Sequence, residues 1–194
     1  MAMKIQSVQK VTDYPYLNLF ETRYSDAEGR DRVWRFASRN DPPQCGTDIR
    51  KSPDAVVIVP FHAGKNRLVI IREFRLSIGD YQYGFPAGLV EKGEAVAASV
   101  SRELREETGL TVTRWIKESP PVYSSAGMTD ESVTLVYVEC AGEPSRLGNT
   151  ASEDIETFLV TPDEAAALCN AERAKLDVKT WLVLSVYGAT GKIC

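Results

Sequence analysis

GLVEKGEAVAASVSRELREETGL, Gly88 to Leu110, decides how this chain reads. Gly88 and Gly93 bracket a short loop. Glu94 to Thr108 then has helix-forming composition, with no proline and no internal glycine. Ala97, Val100, Ser101 and Leu104 fall at helical spacing and are expected to form the buried stripe. Gly109 stands where a helix C-terminus often needs a left-handed residue. Glu103 and Glu107 are four apart and share one face, which Glu106 flanks. Three carboxylates this close repel one another. Oxygen donors clustered this way suit Mg²⁺, with Mn²⁺ as the second choice. The same residues also allow a solvated salt-bridge face, because Arg102 and Arg105 are near.

The 194 residues suffice for one full domain with a small appendage. Hydrophobic content of 43% and charged content of 26% describe an ordinary globular protein. A net charge of −4 argues against a generic nucleic-acid or anionic-membrane surface. It leaves room for a phosphorylated substrate, since a bound divalent ion reverses the local field. The first residues, MAMKIQSVQK, hold no apolar core of signal-peptide length, and no run approaches a membrane span. Cys45, Cys140, Cys169 and Cys194 show no metal-type spacing and read as reduced thiols of a cytoplasmic protein. His62, the only histidine, falls in the hairpin turn FHAGKN and reads as a surface residue.

Lys4 to Val11 reads as a first strand. Leu17 to Tyr24 and Arg32 to Ser38 read as a β-hairpin around SDAEGRD. Asn40 to Asp54 holds three of the ten prolines and reads as a linker. The expected division is therefore a small N-terminal antiparallel sheet over 1–48 and a main domain over 49–194. The main domain opens with strands at Ala55 to Phe61 and Arg67 to Phe74. After the box helix come strands at Ser132 to Glu139 and Ile155 to Val160. Thr161-Pro162-Asp163-Glu164 is a helix start, and Asp177 caps a last helix that Gly188 is expected to end. The fold class is α+β, with a mixed sheet between helices.

Every fixed position from Gly88 to Leu110 resembles the signature of the Nudix hydrolases, which cleave a diphosphate linked to another moiety. The matching members are Gly88, Glu94, Arg102, Glu103, Leu104, Glu106, Glu107, Gly109 and Leu110. A chance match at one starting point is on the order of one in a billion. The resemblance implies the Nudix fold, with Glu103, Glu107 and Glu106 as metal ligands and Arg102 orienting the box carboxylates. Glu94 is implied to support the loop or a second metal shell.

The flanks narrow the resemblance. FPAGL, Phe85 to Leu89, looks like the ADP-ribose pyrophosphatase branch, where the alanine carbonyl ligates metal; Ala87 inherits that role, and Gly88 beside it is a substrate-binding candidate. IIREFR, Ile70 to Arg75, resembles that branch's Glu-Gln-Phe-Arg or Arg-Gln-Phe-Arg element, which offers Arg75, and secondarily Arg72, to the substrate phosphate. SSAGMTDES, Ser124 to Ser132, resembles its Ser-Pro-Gly-x-Thr-x-Glu loop. There Glu131 matches the glutamate credited with acting as base, and Ala126 replaces the usual proline. The branch also implies a homodimer whose N-terminal sheets help form the adenosine pocket. Trp34 and Phe36 are then candidates to stack on the base, and Tyr81 and Tyr83 to line the cleft.

The implied activity is Mg²⁺-dependent hydrolysis of ADP-ribose or a related nucleoside diphosphate sugar. Glu131 or Glu106 would be the base. The alternatives are another diphosphate (a GDP-sugar, NADH, a dinucleoside polyphosphate or phosphoribosyl pyrophosphate) and a non-catalytic nucleotide sensor.

Overall fold

In the computed structural model, which describes residues 2–44, 52–149 and 153–194, the N-terminal alternation becomes three antiparallel strands. These are β1 (Lys4–Lys10), β2 (Asn18–Ser25) and β3 (Asp31–Ser38). The register sets Phe20 opposite Phe36 and Thr22 opposite Trp34, so all four share one face. The two phenylalanine rings stack with centroids 5.8 Å apart. The β2–β3 turn is tied by Asp26, whose carboxylate accepts from the Glu28 and Arg30 N–H groups and from both arginine guanidiniums, Arg30 and Arg32. The Arg30 backbone and side chain hold that carboxyl down at about 2.

The remaining elements follow in order. They are β4 (Ala55–His62), β5 (Arg67–Arg75), β6 (Asp80–Gly84), β7 (Ala87–Leu89), α1 (Val96–Thr108), β8 (Thr111–Glu118) and β9 (Val122–Tyr123). Then come β10 (Ser132–Ala141), β11 (Ile155–Val160), α2 (Pro162–Asn170) and α3 (Val178–Thr190). The described residues divide into two compact units. The first takes the chain up to Asp54 together with Pro121–Val133; the second takes Ala55–Pro120 and Thr134–Cys194. Residues 45–51, most of the proline-containing linker including Cys45, lie outside the described residues.

The second unit is built on a mixed sheet in the order β11-β5-β4-β10-β8, with β6 on β5 and β7 on β4. Nearly every β4 residue is buried whichever way it points, so the sheet is covered on both faces. Val56 and Ile58 pack with Val100 and Leu104 of α1. On the alternate face Phe61 meets the Tyr187 ring of α3 edge-on, and the Tyr187 hydroxyl donates to the Val160 carbonyl. The sheet is thus sandwiched between helices, as the α+β reading holds.

Four local expectations change. The buried stripe of α1 is Ser99, Val100, Leu104, Glu107 and Thr108, while Ala97 and Ser101 are exposed. The apolar stripe is narrow, and a carboxylate takes part of the buried face. His62 is not a surface residue: it is 5% exposed. Its Nδ1 accepts the Lys65 N–H at 3.1 Å, which leaves Nε2 protonated to donate to the Gly142 carbonyl at 2.9 Å. The last helix passes through Gly188 and ends at Gly191. A Cβ on Gly188 would stand 3.0 Å from Ala166, so this glycine serves the α2–α3 approach. Finally, β6, β7, β8 and β9 are strands that the apolar alternation did not mark. Three of the four are only two to five residues long.

Candidate active site

The box begins at β7, which β4 holds by backbone pairing of Ala55 to Leu89, Val56 to Gly88 and Val57 to Ala87. A loop follows, and α1 returns across β7 and β4. Ala95 provides no side-chain cap for α1. The helix start is fixed by tertiary contacts instead. Arg102 does most of this. Its Nε and Nη2 grip the two oxygens of Glu94 at 3.0 and 2.9 Å, and Nη2 also donates to the Leu89 carbonyl at 3.1 Å. The planar fork fits the carboxylate as a lysine could not. Arg102 holds the Glu94 carboxyl down at about 2, and Glu94 raises the arginine in turn.

The third arm of Arg102 reaches Glu103 at 2.6 Å and, more loosely, Glu106 at 3.4 Å. The Glu103 carboxylate lies against the backbone of Gly88. A Cβ there would fall 1.9 Å from Glu103 Oε1, so any larger residue would push this carboxylate out of its place. Glu107 sits deeper, 7% exposed, and its Oε2 accepts the Ala87 N–H at 3.1 Å. Burial raises its carboxyl well above the ordinary range, and repulsion from Glu103 adds to this. Burial also raises Glu103, against the pull of Arg102. Glu106 is different: its side chain is half exposed. With Arg102, Arg105 and Gly148 it borders a cavity of about 770 Å³.

Two further carboxylates were not singled out from sequence. Glu73 and Glu153 each add to the repulsion felt by Glu107. Glu73 is half-buried and itself raised by burial, with Arg75 at 2.9 Å as its counter-charge. A signal for it existed, because Glu73 stands where the resembling element carries glutamine. Arg72 pairs with Glu156 at 2.9 Å and lies 4.8 Å from the Tyr81 ring centroid. Tyr83 packs edge-on against Phe158.

The donor chemistry fits a hard divalent ion. Glu103 and Glu107 are enclosed and repel each other, and their nearest cation, Arg102, is already shared with Glu94. A bound dication would relieve that repulsion. Among the described residues no three His, Cys, Asp or Glu side chains are grouped to enclose an ion alone.

The other sequence candidates lie in the first unit. Glu131 accepts from Arg39 Nε at 3.2 Å and from the Ser124 hydroxyl at 3.0 Å. Its loop is tied to β3 by the Ala37 N–H on the Met128 carbonyl, at 2.8 Å. Trp34 is 52% exposed, whereas Phe36 is 8% exposed and stacked on Phe20. Both line one cavity of about 490 Å³, together with Tyr123, Ala126 and Asp130.

Comparison with known proteins adds to this geometry. The NUDIX domain model matches residues 51–182. The ADP-ribose pyrophosphatase of Bacillus subtilis is 32% identical over 137 residues, covering 69% of this chain and 71% of that protein. The ADP-ribose pyrophosphatase of Saccharomyces cerevisiae is 29% identical over 138 residues, covering 71% of this chain but only 58% of that longer protein. A crystal structure of an ADP compounds hydrolase superposes with a TM-score of 0.68, covering 100% of this chain and 98% of the other. At 18% identity it speaks for the fold alone. With the domain model spanning most of the sequence and taking in the Arg102–Glu107 box, the chain belongs to the Nudix family.

Proposed function

We propose that this Nudix hydrolase cleaves the pyrophosphate bond of ADP-ribose or a related nucleoside diphosphate sugar, with Mg²⁺ as cofactor. The observation that carries this is the enclosed Glu103–Glu107 pair, whose mutual repulsion a divalent cation would relieve. The names of the yeast and Bacillus relatives support the substrate class. Glu103, Glu107 and the Ala87 carbonyl would hold the ion, with help from Glu106. When bound, the ion supplies Lewis acidity to the diphosphate and to the attacking water.

The chain's own residues do the rest. Arg102 keeps Glu103 aimed and fastens the loop that carries Glu94. Arg75, at the end of β5 and partly exposed, offers its donor fork to a phosphate oxygen. Glu131, or else Glu106, accepts the proton of the attacking water. Trp34 stacks on the base, with Phe36 supporting the cavity floor. For ADP-ribose the products are AMP and ribose 5-phosphate.

The assembly we propose is a homodimer. Ile5, Leu19, Val33 and Trp34 leave the small N-terminal sheet with much exposed apolar surface. Light scattering at micromolar concentration would give twice 21.5 kDa. The free thiols Cys140, Cys169 and Cys194 accord with a reducing compartment such as the cytoplasm. No helix among the described residues is long and apolar enough to cross a membrane.

The deciding experiment is a panel of about twenty diphosphates with Mg²⁺, products identified by mass spectrometry. ADP-ribose or an ADP-sugar should lead. A lead for a GDP-sugar, NADH or a dinucleoside polyphosphate would move the substrate within the family. No turnover of any would leave a nucleotide sensor.

A further inference from the structure

Glu73 and Arg75 stand two residues apart on β5, so their side chains share one face of the sheet. That face is the α1 side, because Val69, in the same alternation, packs with Val100 and Leu104. The pairing of β5 with β11 and with β6 keeps a regular register through Glu73, so the alternation carries through. Arg72 points the other way, where Glu156 and the Tyr81 ring engage it. Arg75 is thus the arginine at this end of β5 that faces the side of the Glu103–Glu107 pair. It is already engaged: its Nη1 donates to Glu73 Oε1 at 2.9 Å. The Glu73 side chain is 17% exposed and the Arg75 side chain 45%. The carboxylate is therefore the fixed, poorly hydrated member of this pair, and the guanidinium is the member open to solvent. Glu73 also adds to the charge pressing on Glu107. One carboxylate thus faces an arginine that it attracts and an acidic pair that it repels.

We propose that Glu73 is a positioning residue that couples ion binding to diphosphate binding: it holds Arg75 in the ion-free protein and gives it up to the diphosphate once an ion is bound. The inference rests on the reading of Arg75 as a phosphate ligand and of Glu103 and Glu107 as ion ligands. It adds an order, ion first and diphosphate second. The physics is competition for one negative charge. In the ion-free site Arg75 is the counter-charge of Glu73. A dication beside Glu107 answers Glu73 as well and repels the guanidinium, so the arginine has less reason to stay. Its planar fork is then free to give two N–H groups to phosphate oxygens. Two ligands that favour the same arrangement of one element bind cooperatively, and the effect is reciprocal. Arg75 held by Glu73 makes the site a poor binder of diphosphates that arrive without the ion.

The test measures binding to the full chain by calorimetry, in chelator and in saturating Mg²⁺. The probe is the ADP-ribose analogue with a methylene bridge between its phosphorus atoms, which water attack does not cleave. Glu73→Gln keeps the shape and removes the charge. It should tighten the Kd in chelator by at least ~5-fold and change the Kd in Mg²⁺ by less than ~2-fold. Removing any nearby negative charge also favours an anion from a distance, so a cycle with Arg75→Ala decides. On the Arg75→Ala background, Glu73→Gln should change neither Kd by more than ~2-fold. A gain that persists there would mean general repulsion and would overturn the proposal. Unchanged or weaker binding by Glu73→Gln in chelator would mean that Glu73 holds Arg75 in place for the phosphate, and would overturn it too. If wild type does not bind the analogue even with Mg²⁺, the substrate proposed above fails. Inorganic pyrophosphate, which carries the diphosphate alone, then becomes the probe, and the same pattern is expected of it. A pyrophosphate affinity that neither substitution changes, or no affinity at all, would sink the coupling whatever the substrate.

Discussion

Glu107 and Glu131 are both candidate functional glutamates, one in each unit, and their surroundings are opposite. Glu107 is enclosed, held by one N–H from Ala87, and pressed by the charges of Glu103, Glu73 and Glu153. Glu131 is partly open and already answered by Arg39 and the Ser124 hydroxyl. A carboxyl buried among its own kind either takes up a proton or needs a cation beside it. A carboxylate with an arginine partner is stable as it stands and must exchange that partner to handle a proton. The difference is in keeping with the proposed roles, binding of an ion for the first and chemistry on water for the second.

The largest test of this contrast is Glu107→Gln. It should lower kcat by at least ~100-fold, about 2.7 kcal/mol at the transition state, with the fold intact by circular dichroism. Near-normal turnover at saturating Mg²⁺ would dissolve the contrast. Next comes Glu131→Gln, for which kcat should fall on the order of 30-fold while KM and the Mg²⁺ dependence change little. Should metal affinity fall in step with the rate, Glu131 is a ligand and the two glutamates are alike after all. Unchanged kcat would pass the base role to Glu106. Trp34→Ala should be milder, raising KM about 5–10-fold at nearly constant kcat, as loss of one stacking surface would. A pure kcat defect would show that Trp34 does not hold substrate.

The smallest effect is on stability and concerns the metal-free protein. Glu107 has its carboxyl raised by burial, so its neutral form is the one the fold favours. That contribution is fully present below the unfolded carboxyl pKa, near 4.3, and is lost as pH rises through the raised native value. Glu94 runs the other way. Its depressed native value, about 2, makes a contribution that is present above the unfolded value and lost as pH falls toward 2. Thermal melts in chelator should therefore show Tm declining as pH rises above the unfolded carboxyl value. Glu107→Gln should flatten that decline and raise the neutral-pH Tm by about 2–4 °C, the shift that ~1 kcal/mol produces at this size. Added Mg²⁺ should raise Tm for wild type and not for the variant. A variant less stable than wild type in chelator would mean that Glu107 serves packing.

How much of the site was legible depended on how local the information was. The box reads from the chain because Glu103 and Glu107 share a face by helical spacing and Gly109 terminates the helix through its own backbone conformation. The capping box of α2 is equally local, since Thr161 and Glu164 satisfy each other's N–H groups. The small N-terminal sheet followed from alternation and from the Asp26 turn. His62 was misjudged because its partner, the Gly142 carbonyl, lies 80 positions away. Gly188 was misjudged for a related reason. Within its own helix it looks like a stop, and only the closeness of Ala166 shows that it is an approach.

The sequence by itself determined the family, the carboxylates of the box and the arginine beside them. Each of these is set by spacing along one helix and its adjoining loop. Tertiary structure alone decided which charges those carboxylates feel. Glu73 and Glu153 reach Glu107 because β5 and β11 are paired strands, not because of any spacing in the chain. It alone brought Ser38 and Gln44 to Asp130, 92 and 86 positions away, leaving one oxygen of that carboxylate without a partner among the described residues. Hydrogen bonds and Coulomb forces act through space. Sequence foresees them only where the backbone's own geometry makes nearness in the chain and nearness in space the same thing.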